Sequence, residues 1–174
     1  AFDDQLIAVS IRADGNYVLF AFNDPGFEPR WRWIHGLAPA LEARLGIVRS
    51  LVSITTEYLK VRKQFGRVIG SNQALQHRMV DCFMLQEEVR ALTAAAQQAL
   101  ITGGPETERI VAGARAYIVE AARKVCNEAV QMHGGLGVTD ELDISHYFRR
   151  LMVNAALFGG RDRAFARFVD ALAA

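Results

Sequence analysis

Apolar residues recur at spacings of three, four or seven along most of this chain, and short glycine clusters interrupt them. That alternation leaves little room for any fold other than packed helices. Leu41, Leu45, Val48, Val52 and Leu59 form a first stripe, which starts near Leu37 and ends near Gly66 to Gly70. A second runs through Leu75, Met79, Cys82, Val89, Leu92, Ala96 and Leu100, with Ser71 as its predicted N-cap. Gly103-Gly104-Pro105 stops it, and a third helix is predicted with Ile110, Ala114, Tyr117, Ala121 and Val125 on one face. The run Gln131-Met132-His133-Gly134-Gly135-Leu136-Gly137 closes that helix. A fourth carries Ile144, Tyr147, Phe148 and Leu151, and a short fifth, after Gly159-Gly160, carries Phe165, Phe168 and Leu172. Long helices joined by short breaks predict a mainly α fold, an antiparallel four-helix bundle.

The first thirty residues read differently. Leu6 to Ile11 and Tyr17 to Phe22 are β-prone, and Ala13-Asp14-Gly15-Asn16 supplies a turn, so a β-hairpin is predicted. Two strands alone do not make a stable sheet. The expected organisation is a hairpin and linker over residues 1–30 and a helical domain over 31–174. With 51% apolar residues among 174, the chain can bury a core without disulfides or metals. A net charge of +1 gives no reason to expect nucleic acid or an anionic membrane, and no apolar run reaches membrane-spanning length. Cys82 and Cys126 lack metal-ligand spacing and read as buried, reduced thiols of a cytoplasmic protein. The first residue is Ala rather than Met, which points to processing or to a fragment.

Chemistry is suggested at two places. Arg62-Lys63-Gln64-Phe65-Gly66 reads either as a helix C-terminus with favourable cations and a glycine stop, or as a ligand-holding run. In the second case Arg62 would hold a phosphate as a planar two-toothed donor and Phe65 would stack on a ring. Gln73 and Gln131 are either plain helix-surface residues or amides near Gly134 and Gly135 that bond a pyrophosphate or ribose. Paired glycines at a helix junction allow the backbone to approach a ligand closely, although many helix corners carry them for turning alone.

Taken together, three runs resemble the acyl-CoA dehydrogenase family: Tyr58 through Gly66, Asn72-Gln73-Ala74-Leu75-Gln76-His77, and Gln131 through Gly137. The stretch from Asp140 to Arg150 continues the likeness, so it covers residues 37–174 or so. The resemblance implies the C-terminal helical domain of a flavoenzyme, with the hairpin as a possible remnant of a middle β domain. It implies that Arg62, Gln64 and Phe65, with Gln73 close by, contact the FAD of a neighbouring subunit. Gln131, Gly134 and Gly135 would meet the adenosine-pyrophosphate part of FAD from the other side of a dimer interface. The implied reaction removes an α-proton and a β-hydride from an acyl-CoA thioester, hydride going to the flavin and the proton to a carboxylate.

That carboxylate is missing from both places where the family carries it. Counting from the Gly-Gly pair, the base position is Phe158; the alternative position, on the first long helix, is Gly36. Glu42, Asp162 and Glu141 are nearby carboxylates that could substitute, and His133 and His146 are further candidates. The departure resembles the small-subunit type of heteromeric bacterial acyl-CoA dehydrogenases, in which a second chain supplies the base. On that reading this chain carries no catalytic residue and no metal, and it works as a homo-oligomer or as a heteromer with another acyl-CoA dehydrogenase chain, inactive by itself. A non-catalytic helical interaction module, or a flavin monooxygenase on the same scaffold, would also dispense with the base.

Overall fold

The computed structural model describes residues 6–11, 17–22, 29–156 and 160–173, with side chains from residue 38 onward. The N-terminal hairpin pairs β1 (Leu6–Ile11) antiparallel with β2 (Tyr17–Phe22), in a register from Leu6↔Phe22 to Ile11↔Tyr17. Its predicted turn lies outside the described residues. Helix α1 (Pro29–Val61) is longer than the sequence reading gave it, beginning inside the segment read as linker. It is followed by two very short strands, β3 (Lys63–Gln64) and β4 (Arg67–Val68), and a 3-10 turn at Ile69–Ser71. Then come α2 (Gln73–Thr102), α3 (Thr107–His133), a second 3-10 turn at Gly134–Val138, α4 (Ile144–Ala156) and α5 (Gly160–Ala173). Among the described residues there are thus five α-helices and two small antiparallel pairs.

The helix boundaries follow from local chemistry, with one correction. The N-cap of α2 is Asn72, whose side chain accepts the Ala74 N–H at 3.1 Å. Ser71, the residue predicted for that task, instead turns its hydroxyl back to the Val68 carbonyl at 2.7 Å. Asx and Ser side chains serve equally well at this position, so only the backbone path decides which of two neighbours is the cap. At the other end Gly103 adopts φ 72° and returns its N–H to the Ala99 carbonyl, as a glycine stop should.

Two core clusters follow one another along α3, and here the pattern reading fell short. Tyr117, assigned to a buried face, is exposed and donates its hydroxyl to Glu88. Nor does α3 have a single buried face: Val111, Ala112, Ala114, Ala116, Ile118, Val119, Ala121, Ala122 and Val125 are all buried. The helix is flanked by α1, α2 and α5, and its alanines are what allow three neighbours to approach. A Cβ at Gly113 would stand 2.9 Å from the Phe168 ring, so α5 packs onto α3 where α3 has no side chain. In α5 only Ala164 is fully buried; Phe165 and Leu172, predicted for its packed face, are exposed.

One buried group had no sequence signature. Arg44 of α1 is wholly enclosed and donates Nη2 to the Asn154 carbonyl at 2.7 Å, in the last turn of α4. Carbonyls there have no intrahelical partner, so a guanidinium satisfies both hydrogen bonding and the helix dipole. Burial, and then repulsion from Arg115, lower its pKa to about 10. Arg44 remains charged at neutral pH all the same. It anchors the end of α4 just before Phe158, which itself lies outside the described residues.

Candidate functional site

The structure corrects the setting of the basic aromatic run. It is not the end of α1: the helix stops at Val61, and Lys63–Gln64 pairs with Arg67–Val68 in a two-residue hairpin. The turn residues are Phe65, φ 52°, and Gly66, φ 78°. Positive φ at both central positions is what a tight hairpin matching the strand twist requires, and glycine accepts it freely. Phenylalanine does not; a bulky residue in the left-handed region costs on the order of 1–2 kcal/mol. Phe65 is also fully solvent-exposed, at 101%, so no packing within the chain offsets that cost. Arg62, Lys63 and Arg67 stand exposed around it, without an ion-pair partner among the described residues.

The hairpin is held against α1 from behind. Arg62 N–H bonds the Tyr58 carbonyl at 2.9 Å and Ile69 N–H bonds the Arg62 carbonyl at 2.9 Å. Gly70 permits the return, since a Cβ there would lie 2.6 Å from the Leu59 carbonyl oxygen. Beneath this turn lies an apolar groove of about 460 Å³, lined by Thr56, Leu59, Lys60, Val68, Gly70, Gln76 and Met79. None of the sequence-predicted site residues lines it. They face outward: Gln64 and Gln73 are exposed, Gln73 as the first residue of α2.

The glycine corner occupies the same end of the molecule. Gly134, φ 62°, ends α3 by returning its N–H to the Gln131 carbonyl, and Gln131, Gly134 and Gly135 are all exposed. Its three glycines have three different reasons. Gly134 needs the left-handed backbone. Gly137 needs the space, because a Cβ would meet the Val130 carbonyl oxygen at 2.6 Å. Gly135 needs neither: its φ is one that any residue adopts, and a Cβ would meet nothing within 4 Å. The backbone at Gly135 is therefore open to solvent.

His133 lies between the corner and the hairpin. Its ring stacks on Tyr58, centroids 4.2 Å apart at 26°, and Nδ1 is 2.8 Å from the Ala129 carbonyl. Burial lowers its pKa, against a smaller opposing effect of that hydrogen bond, so the ring is neutral and Nδ1–H is the donor. This contact brings the C-terminal ends of α1 and α3 together. Sequence reasoning used Tyr58 only to align a motif and gave it no task; two aromatic residues so far apart along a chain carry no pattern that pairs them.

The candidate bases are not assembled into a site. Glu42 accepts from Gln97 Nε2 at 2.5 Å on an exposed surface. Asp162 is exposed beside Arg161, and Glu141 is exposed beyond the corner. His146 is exposed with Nδ1 3.0 Å from Arg149, and His133 is enclosed by its stack. Gly36 lies within α1, but its surroundings fall outside the described residues. Asp140, which the sequence reading passed over, accepts from Arg149 at 2.8 Å and from Ser145, and so ties the corner to α4. The Arg149 hydrogen bond and charge hold its carboxyl below the usual range. Among the described residues no group of His, Cys, Asp or Glu could hold a metal ion, and no helix is long and apolar enough to cross a membrane.

Comparison with known proteins decides the family. A model of the C-terminal domain of acyl-CoA dehydrogenases matches residues 39–168. The chain belongs to the acyl-CoA dehydrogenase family. Acyl-CoA dehydrogenase IpdE2 of Mycolicibacterium smegmatis is 38% identical over 116 residues, which cover 67% of this chain and 35% of that protein. Among solved structures, the Tcur3481-Tcur3483 steroid acyl-CoA dehydrogenase aligns at 27% identity with a TM-score of 0.78, covering 90% of this chain and 43% of that one. Butyryl-CoA dehydrogenase of Megasphaera elsdenii aligns at 26% identity with a TM-score of 0.77, covering 83% and 38%. The chain thus spans about a third of the length of the curated relatives it matches. At the exposed end of this acyl-CoA dehydrogenase domain, Phe65 holds a left-handed conformation that its own packing does not explain.

Proposed function

We propose that this chain is the C-terminal part of an acyl-CoA dehydrogenase-like flavoprotein and that its exposed end forms one wall of an FAD site shared with a neighbouring subunit. Phe65 carries the reading: a strained, fully exposed aromatic residue at the tip of a cationic hairpin, with no internal reason for its conformation. Arg62, Gln64 and Gln73 flank it, and Gln131, Gly134 and Gly135 stand at the same end of the bundle. The residues fit such a group. Unpaired cations suit a pyrophosphate, an exposed ring offers a stacking face, and the bare backbone at Gly135 allows close approach. FAD, when bound, supplies the hydride acceptor for α,β-dehydrogenation of an acyl-CoA thioester. This chain's own residues bind and orient it.

Proton abstraction is assigned to another chain. Phe158 and Gly36 occupy the positions where the family carries its base, and none of the alternative carboxylates or imidazoles is set up as one. We therefore read the chain as a base-deficient subunit of a bacterial, cytoplasmic heteromer, which requires a second acyl-CoA dehydrogenase chain for turnover. The hairpin over residues 1–30 fits a remnant of the middle domain. The two-component name of the steroid enzyme supports this pairing.

The decisive experiment co-expresses the full-length protein with a longer acyl-CoA dehydrogenase chain and measures flavin absorbance and dye-coupled dehydrogenation. A yellow, active complex is expected, with flavin content reduced by Arg62→Ala and by Gln131→Ala while oligomeric state is kept. Full activity of the separate full-length chain would sink the base-deficient assignment. Undiminished flavin in both variants would sink the assignment of the site.

A further inference from the structure

Two separate stretches of chain make up the exposed end, and a ring stack links the helix ends that carry them. Among the described residues no hydrogen bond or ion pair connects residues 62–73 with residues 131–138. The directed contact between them is the stack of Tyr58 on His133, set against an apolar cluster that also holds Leu59, Ile69 and Met132. We propose that this stack is a brace, and that Tyr58 and His133 are positioning residues that set the spacing between the hairpin and the glycine corner so that both engage one dinucleotide. The inference rests on the FAD reading above and adds to it the part that fixes the geometry of the surface.

Each partner is tied directly to its own half. The Tyr58 carbonyl accepts the Arg62 N–H at 2.9 Å, which fixes the first residue of the hairpin run to the last turn of α1. His133 is the last residue of α3 and immediately precedes Gly134. The corner closes back upon it, since a Cβ at Gly137 would stand 3.1 Å from the His133 Cβ. The imidazole is held in place by Nδ1–H on the Ala129 carbonyl, while the buried Nε2 has no hydrogen-bond partner among the described residues. A ring pair at 4.2 Å couples the two helix ends without requiring either to present a polar group to the other.

A surface made of two independently moving halves binds a rigid, two-ended ligand more weakly than one whose halves are already spaced for it. Losing the stack should weaken FAD binding by about three- to tenfold, the scale of one aromatic pair. The test uses the full-length assembled protein, stripped of flavin and titrated with FAD, and compares Tyr58→Leu with Tyr58→Phe. Leucine keeps bulk but removes the ring; phenylalanine keeps the ring. The expected result is weaker FAD binding for Tyr58→Leu and unchanged binding for Tyr58→Phe. Amide hydrogen exchange without FAD supplies the second measurement. Tyr58→Leu should speed exchange at Arg62, Ile69 and Gly134 to Val138, leaving Val89 to Ala96 of α2 as in the parent, and Tyr58→Phe should restore both segments. Parent-like exchange at both segments in Tyr58→Leu overturns the brace, as does a uniform rise through the whole bundle or failure of Tyr58→Phe to rescue. If the parent itself binds no FAD, the flavin reading falls, and the exchange pattern still decides whether the brace exists.

Discussion

The two ends of one short turn obey different constraints. Gly137 is fixed from inside, by a carbonyl oxygen 2.6 Å from where its side chain would begin. Gly135, two residues earlier, is exposed, with open space around it and an unstrained backbone. The same division runs through the molecule. Along α3 the small residues are explained by packing: alanines where helices approach and Gly113 under the Phe168 ring. At the exposed end the special residues are unexplained by packing: Phe65 in a left-handed turn, Gly135, and cations with no ion-pair partner among the described residues. The lesson is that a residue's peculiarity locates function only after the fold's own demands have been subtracted from it.

The contrast can be broken or sharpened by measurement. The largest effect should come from the core: Leu51→Ala, at a position of 0% exposure, should lose about 2–5 kcal/mol in urea unfolding. A clearly smaller loss would mean that the helices pack less tightly around α1 than the structure shows. Next, Gly137→Ala should destabilise by about 1–3 kcal/mol, because backbone must shift to admit the methyl. Its neighbour Gly135→Ala should stay within about 0.5 kcal/mol of the parent while reducing flavin content. Equal losses at the two positions would erase the distinction between them.

Phe65→Asn should raise the stability of the flavin-free chain by up to about 1 kcal/mol, since asparagine tolerates a left-handed backbone. The same substitution should weaken cofactor retention. A stability loss would show that Phe65 has an internal role after all.

The smallest effect concerns pH. The folded His133 imidazole titrates below its ordinary value of 6.5, so the unfolded chain takes up the proton first as pH falls. Its contribution to stability should be intact above pH 6.5 and should decline as pH drops from there towards the folded value. His133→Gln should flatten the stability profile over that window. Asp140 acts in a separate range: its folded carboxyl titrates below 3.8, so its contribution is present above that pH and is lost only as pH falls through the folded value. A profile unchanged by His133→Gln between pH 7.5 and 5 would deny the imidazole its neutral, enclosed state.

Much of the helical framework was legible because apolar spacing and glycine punctuation are local signals. The second stripe shows this well: Cys82, Val89, Ala96 and Leu100 are buried as predicted. Both thiols are buried and free, and burial first of all pushes each up to about 11, which leaves them unreactive at neutral pH. The third stripe shows the limit. Alanine counts weakly in any apolar pattern, so a helix surrounded by three others looked one-sided, and Tyr117 was assigned to an interior it does not enter. The hairpin at Phe65 was hidden for a similar reason: a cationic run before a glycine is a sound helix ending, and only the backbone reveals that the helix has already stopped.

By itself the sequence determined the mainly helical class, the glycine breaks between helices, and the resemblance that named Arg62, Phe65, Gln131 and Gly135; the four-helix count is not what the five described helices show. These rest on residue type and on spacing along one strand of chain, which sequence records directly. The tertiary structure alone decided which glycines the fold requires and that Asn72, not Ser71, caps α2. It also decided that Arg44 ends up buried at the end of α4 and that Tyr58 meets His133 across the ends of two helices. Each of these depends on distances between atoms far apart in the chain, and those distances exist only once the helices have packed.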